Sequence, residues 1–145
     1  MKEPIVTADC IKIPSSQEFL PDVDGFIEAK LRAFGVEPSA IADIAISITE
    51  IVNNGIVHGN KLKPEKLVTV EIGRKDSFVE IIITDEGNGF DPDQVESPIE
   101  DKNLLKEVGR GIFIAKSLMD FVEITSSPGS ATRVILRKQI QDFSV

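Results

Sequence analysis

Residues 67–90 read L-V-T-V-E-I-G-R-K-D-S-F-V-E-I-I-I-T-D-E-G-N-G-F. Apolar and polar side chains alternate through L-V-T-V-E-I-G and again through S-F-V-E-I-I-I-T, which marks two strands joined as a hairpin around Arg74-Lys75-Asp76. The second strand runs straight into Asp85-Glu86-Gly87-Asn88-Gly89-Phe90, where the period is lost and turn-forming residues crowd together. An antiparallel hairpin ending in a sharp glycine-rich loop is the centre from which the rest of the chain is read.

Upstream, residues 5–13 (I-V-T-A-D-C-I-K-I) read as one strand with imperfect alternation. Pro14-Ser15-Ser16 supplies a stop and a cap, and residues 16–34 read as a helix ending near Gly35. Pro38-Ser39 restarts a helix that runs to His58, where Gly59-Asn60 gives a stop signal. Downstream, residues 91–108 are polar and irregular, and helical spacing returns from Gly111 to Met119. F-V-E-I-T-S and T-R-V-I-L-R-K then read as two strands joined across Pro128-Gly129. No repeat, low-complexity tract or linker divides the chain, so residues 1–145 are expected to form a single domain. The expected fold is α/β, a two-layer sandwich with a mixed, largely antiparallel sheet and helices on one face.

Composition narrows the function. The chain has 145 residues, 41% hydrophobic and 28% charged, a globular profile able to enclose a core. Its net charge of −8, with scattered Lys and Arg, argues against broad nucleic-acid binding. No run approaches the roughly 18 apolar residues that cross a bilayer, and M-K-E-P-I-V-T does not read as a secretory signal. A cytoplasmic protein without membrane attachment is expected. One cysteine, Cys10, excludes an internal disulfide, and one histidine, His58, excludes a multi-histidine metal site.

Within the second helix, Ile41, Ile44, Ala45, Ile48, Val52 and Gly55 form one stripe that should lie on the sheet. Asp43, Ser47, Glu50, Asn54 and His58 form another, and Glu50, Asn54 and His58 are neighbours four residues apart. By spacing alone, that ridge reads as a solvated face. Against this stands Asn53-Asn54-Gly55, three poor helix formers in mid-helix. An amide oxygen suits Mg²⁺, and a carboxylate one turn away could orient or deprotonate a hydroxyl.

The glycine-rich loops are also open to two readings. Asp85-x-Gly87-x-Gly89 after a strand is either an ordinary turn or a place where backbone approaches a flat ligand, with a carboxylate to accept from an exocyclic amine. Gly109-Arg110-Gly111 reads as a segment just before a helix, where free N–H groups would make a phosphate nest. Neither a Rossmann nor a Walker loop is present.

Taken in order, E-x-x-x-N-x-x-x-H on a helix, D-x-G-x-G after a strand and G-x-G opening a helix resemble the Bergerat-fold ATPases, the superfamily of gyrase, chaperone and histidine-kinase ATP-binding domains. The short length and the segment G-R-G-I-F-I-A-K-S-L-M-D are similar to the anti-sigma-factor serine protein kinases. The resemblance spans about residues 5–138 and implies ATP and Mg²⁺ as cofactors. It implies Glu50 as general base, Asn54 as the Mg²⁺ ligand, and His58 on the phosphate side or bracing the helix end. Asp85 would accept from the adenine amine, with Gly87 and Gly89 shaping its pocket. Gly109, Arg110 and Gly111 would meet the phosphates, and residues 91–108 would form an ATP lid. Thr132 matches the family's G-T-x-V threonine near adenine, although Ala131 stands where the family has glycine.

The implied activity is phosphorylation of a serine on a small anti-sigma-factor antagonist, together with sequestration of a bacterial sigma factor. A homodimer joined near Ile5–Ile13 is a further implication. The alternative is an ATP-binding module that sequesters a partner without kinase activity. A histidine-kinase fragment fits less well, since no segment bearing an acceptor histidine is seen before the domain. A water-attacking ATPase would usually need further domains.

Overall fold

The structure is a computed structural model that describes residues 3–91 and 103–140. Its elements in chain order are β1 (Ile5–Val6), β2 (Cys10–Pro14), a 3₁₀ turn (Gln17–Phe19), α1 (Leu20–Ala33) and α2 (Pro38–Asn54). A π-helical turn (Gly55–Gly59) continues α2, followed by β3 (Leu67–Lys75), β4 (Phe78–Thr84), α3 (Asn103–Leu118), β5 (Phe121–Thr125) and β6 (Arg133–Gln139). The strands make one six-stranded sheet in the order β1-β2-β3-β4-β6-β5, antiparallel at every described pair. The expected two-layer architecture is therefore the observed one.

Period-two alternation decides which sheet face carries the helices. Ile11, Ile13, Val68, Val70, Ile72, Val79, Ile81, Ile83, Val134 and Leu136 are buried on a single face. Against them pack Val23, Ile27 and Leu31 of α1 and Ile44, Ile48 and Val52 of α2, one contiguous core. On the opposite face Arg137 lies 4.6 Å over the Phe121 ring and 5.5 Å over Phe78, while its Nε donates to Glu80 Oε2 at 2.8 Å.

Helix ends follow local chemistry. Gly35, at φ +78°, closes α1: its N–H donates to Arg32 O at 3.0 Å and Val36 N–H donates to Leu31 O at 3.1 Å. That pair of bonds is a Schellman cap, and the left-handed backbone there suits glycine. Pro38 occupies the first turn of α2, where a missing N–H costs nothing.

Three details depart from the sequence-based expectations. The single strand expected over 5–13 is a hairpin, with Ile5 opposite Lys12 and Val6 opposite Ile11. Thr7 N–H donates to Cys10 O at 2.8 Å to close its turn, and on its other edge the shortened β2 pairs with Leu67–Glu71 of β3. The helix expected from Gly111 begins at Asn103 instead. Val108, Ile112, Ala115 and Met119 are buried at helical spacing, so the apolar face continues upstream through the glycines. Lastly, α2 with its π turn, Pro38–Gly59, is 22 residues long with a mean hydropathy of 1.4 over its most apolar window, which is enough in length and composition to span a bilayer. Its buried isoleucines face the sheet, and a core helix passes the same test.

Candidate functional site

Asp85 follows the last residue of β4, at the point where the chain turns away from the sheet. Its Oδ1 accepts from Gly87 N–H at 2.9 Å and from Thr132 N–H at 3.1 Å, and its own N–H donates to Thr132 O at 3.0 Å. Both side-chain bonds fall on one oxygen, which leaves Oδ2 for another donor. Burial pushes this carboxyl above its ordinary 3.8; the Gly87 and Thr132 N–H groups and the Lys66 charge oppose that, and Glu86 adds to it.

The glycines around Asp85 are there because nothing larger fits. A Cβ on Gly59 would overlap Asp85 Oδ2 and sit 2.7 Å from its Cγ, and a Cβ on Gly87 would overlap the Gly59 carbonyl. Gly89, at φ +69°, lies against the carbonyls of Ser127 and Ser130. Asn60 locks this corner from below. Its Nδ2 donates to Ser15 Oγ at 2.8 Å and Leu67 O at 3.0 Å, and its Oδ1 accepts from Glu86 N–H at 2.7 Å. The Glu86 carboxylate also accepts from Leu67 N–H.

Across from Asp85 lies the end of α2. The ridge that could have been a solvated face is partly covered: Ser47 is fully buried, Asn54 and His58 are half-buried, and α3 reaches the last two. Asn54 Nδ2 donates to Val108 O at 3.4 Å, and a Cβ on Gly111 would stand 2.9 Å from the same nitrogen. His58 Nε2 lies 2.9 Å from Glu107 Oε2, while its Nδ1 is buried with no partner among the described residues. The mid-helix Asn53 has a local role: its Oδ1 accepts from Gln17 Nε2 at 2.9 Å.

These elements enclose a cleft between α2, α3 and the sheet. It is lined by Ile51, Asn54, Gly55, His58, Gly59, Ile83, Asp85, Gly89, Phe90, Val108, Ile112, Thr132 and Val134. The cavity volume is about 60 Å³. Apolar walls with a few polar groups at fixed places are typical of a small-molecule site. Thr132 is held by a 2.7 Å hydroxyl–hydroxyl bond to Ser126, whose Oγ also accepts from Phe90 N–H at 3.0 Å.

The fold thus brings together Asn54, His58, Asp85, Gly89 and Thr132 of the residues anticipated from sequence. Glu50 stands one turn before Asn54, outside the lining, and Gly87 supports Asp85 from behind. The reading of Gly109-Arg110-Gly111 as a nest ahead of a helix is corrected: all three lie inside α3, where Arg110 is exposed. Of the expected lid, residues 92–102 lie outside the described residues, and 103–108 are helical. Gly59, Asn60, Phe90 and Ser126 also belong to the site, and sequence reasoning misses them. By sequence, Gly59-Asn60 registers only as a helix stop.

Residues 13–138 match the family described as "Histidine kinase-like ATPase domain". The chain belongs to that family. Among members of the histidine kinase-like ATPase family, it is 35% identical over 102 residues to an "Anti-sigma F factor" from Oceanobacillus iheyensis, covering 69% of this chain and 70% of the relative. It is 27% identical over 142 residues to a "Serine-protein kinase RsbW" from Staphylococcus aureus, covering 91% and 89%. The crystal structure of the RsbU and RsbW domains of a Mycobacterium tuberculosis protein superposes with a TM-score of 0.63 at 19% identity. That match takes in 94% of this chain but spans only 32% of the longer polypeptide, so it shows the fold alone.

The site's atoms fit the cofactor that such a family implies. Asp85 Oδ2 and Asn54 Oδ1 are acceptors with no hydrogen-bond partner among the described residues, and His58 Nδ1 is orphaned. Gly59, Gly87 and Gly89 keep the corner around Asp85 free of side chains.

Proposed function

We propose that this chain binds MgATP in the α2–α3 cleft and acts as an anti-sigma-factor serine protein kinase. The observation that carries the proposal is Asp85, buried beside the cleft with one oxygen spent on the scaffold and one spare. In this reading that oxygen accepts from the adenine amine, with Thr132 and Gly89 lining the same cleft. At the other end, Asn54 Oδ1 is the ligand for Mg²⁺. Bound there, MgATP supplies the phosphoryl group and the neutralising charge for transfer.

Glu50, one turn from Asn54, takes the proton from an acceptor serine hydroxyl. Gly109, Arg110 and Gly111 meet the phosphates only if the part of α3 that contains them unwinds, since its N–H groups lie within the helix. The names of the relatives support a small antagonist protein as substrate and a sigma factor as bound partner. The exposed edge formed by Ile5 and Val6 supports a homodimer. A cytoplasmic location fits these partners.

Glu50 lies outside the cleft lining, which gives the silent-sequestration alternative one point in its favour. The deciding experiment incubates the chain with γ-labelled ATP, Mg²⁺ and antagonist-like proteins of its own cell. Labelled serine is expected, and Glu50→Gln should bind nucleotide but lose the label. Nucleotide binding without any label in the wild type would leave the sequestering module.

A further inference from the structure

His58 is the only histidine in the chain, and its two nitrogens have opposite situations. Nε2 lies 2.9 Å from Glu107 Oε2, whereas Nδ1 is buried without a partner among the described residues, on a side chain that lines the cleft. A carboxylate can only accept, so the pair puts a ring proton on Nε2, and in the neutral ring Nδ1 is then a bare lone pair. Left unmet, a buried acceptor is unfavourable, so a ligand that donates there is favoured.

The neighbours narrow the choice of ligand. One turn earlier, the Asn54 amide is oriented by its Nδ2 bond to Val108 O, which leaves Oδ1 as a second bare acceptor. Two acceptors on adjacent turns repel phosphate oxygens. They suit a hard cation and its water, because Mg²⁺ keeps several waters that donate hydrogen bonds outward. A histidine whose far nitrogen is held by a carboxylate is also a common way of fixing an imidazole near a metal.

Building on the MgATP reading above, we propose that Glu107 is a positioning residue for this cation. It holds the His58 ring through Nε2–H, and Nδ1 accepts from a water of the ion that Asn54 Oδ1 ligates. Glu107 itself is largely exposed, so its replacement leaves the core intact.

The test uses the uniformly ¹⁵N-labelled chain, in which a single imidazole gives two self-assigning ring signals. The wild type should show a neutral ring protonated at Nε2. The Nδ1 signal should move on adding Mg²⁺ with a non-hydrolysable ATP analogue, but not with the analogue in EDTA. Glu107→Ala should mix the tautomers and raise the Mg²⁺ needed for half-saturation about tenfold, with affinity in EDTA unchanged. Glu107→Gln, whose amide oxygen still accepts from Nε2–H, should restore the requirement to within about threefold.

A ring protonated on both nitrogens in the complex would overturn the proposal. So would an unchanged Mg²⁺ requirement in Glu107→Ala when the wild type binds the analogue. Failure of the wild type to take up the analogue at all would instead bring down the nucleotide reading, and this proposal with it.

Discussion

Asp85→Asn separates the two roles of that side chain. An asparagine Oδ1 can still accept from the Gly87 and Thr132 N–H groups, 2.9 and 3.1 Å away in the wild type, so the corner should keep its shape. The other oxygen becomes an NH₂ and faces the adenine amine donor to donor. Hydrogen bonds to charged acceptors are worth roughly 1.5–3 kcal/mol, so the nucleotide Kd should rise about 10–150-fold. Stability should respond in the opposite sense. Burial raises the Asp85 carboxyl above its ordinary 3.8, so the folded state keeps a proton that the unfolded chain has already lost. Its contribution to stability is complete below that ordinary value and is lost as pH climbs through the raised one. The carboxamide of the variant has no such titration. Titration calorimetry with ADP, and urea unfolding of both proteins across the acid range, test the two halves. The wild type should lose stability relative to the variant as pH rises through that window. An unchanged Kd, or a relative gain in wild-type stability over the same range, would refute the reasoning.

Two other substitutions draw on the same geometry. Asn54→Ala removes only a long 3.4 Å bond to Val108 O, so the fold should survive while Mg²⁺-dependent nucleotide binding is lost; equal ATP affinity with and without Mg²⁺, at the wild-type level, would sink the ligand role. Gly59→Ala drives a methyl into Asp85, which its two N–H donors keep from swinging away. Overpacking of this kind costs about 1–3 kcal/mol, a fall in Tm on the order of 3–10 °C that calorimetry will register.

Much of the fold is legible in the sequence because burial is periodic. The β3–β4 hairpin alternates cleanly, and its inward residues are the buried ones. Asn54 and Asp85 are legible for a different reason: both break a local preference, one inside a helix and one at a strand end. What escapes depends on tertiary partners. Nothing in G-R-G declares that Val108 and Ile112 will bury on either side of it and carry a helix through, so the glycine pair reads as a start. Asn60 resembles any residue after a helix stop until Ser15, Leu67 and Glu86 arrive from three other segments. The polar ridge of α2 is ambiguous because only tertiary packing decides whether Ser47 meets water or protein. The break at Thr7–Asp9 shows as weak alternation, but the turn itself depends on where β3 offers a partner.

The π turn at Gly55–Gly59 has a consequence for how this domain tolerates change. Asn60 N–H reaches back five residues to Gly55 O at 2.7 Å, so the turn holds one residue more than an α-turn would. Deleting a residue there would restore the tighter winding and rotate the downstream chain by about 100°. Gly59 would leave Asp85, and the Asn60 amide would lose its three partners together. Chain length is therefore constrained across these residues together with the identity of Gly59. An alignment that places a gap here would mispair the corner around Asp85, and a designer who varies this turn would keep both its count and Gly59.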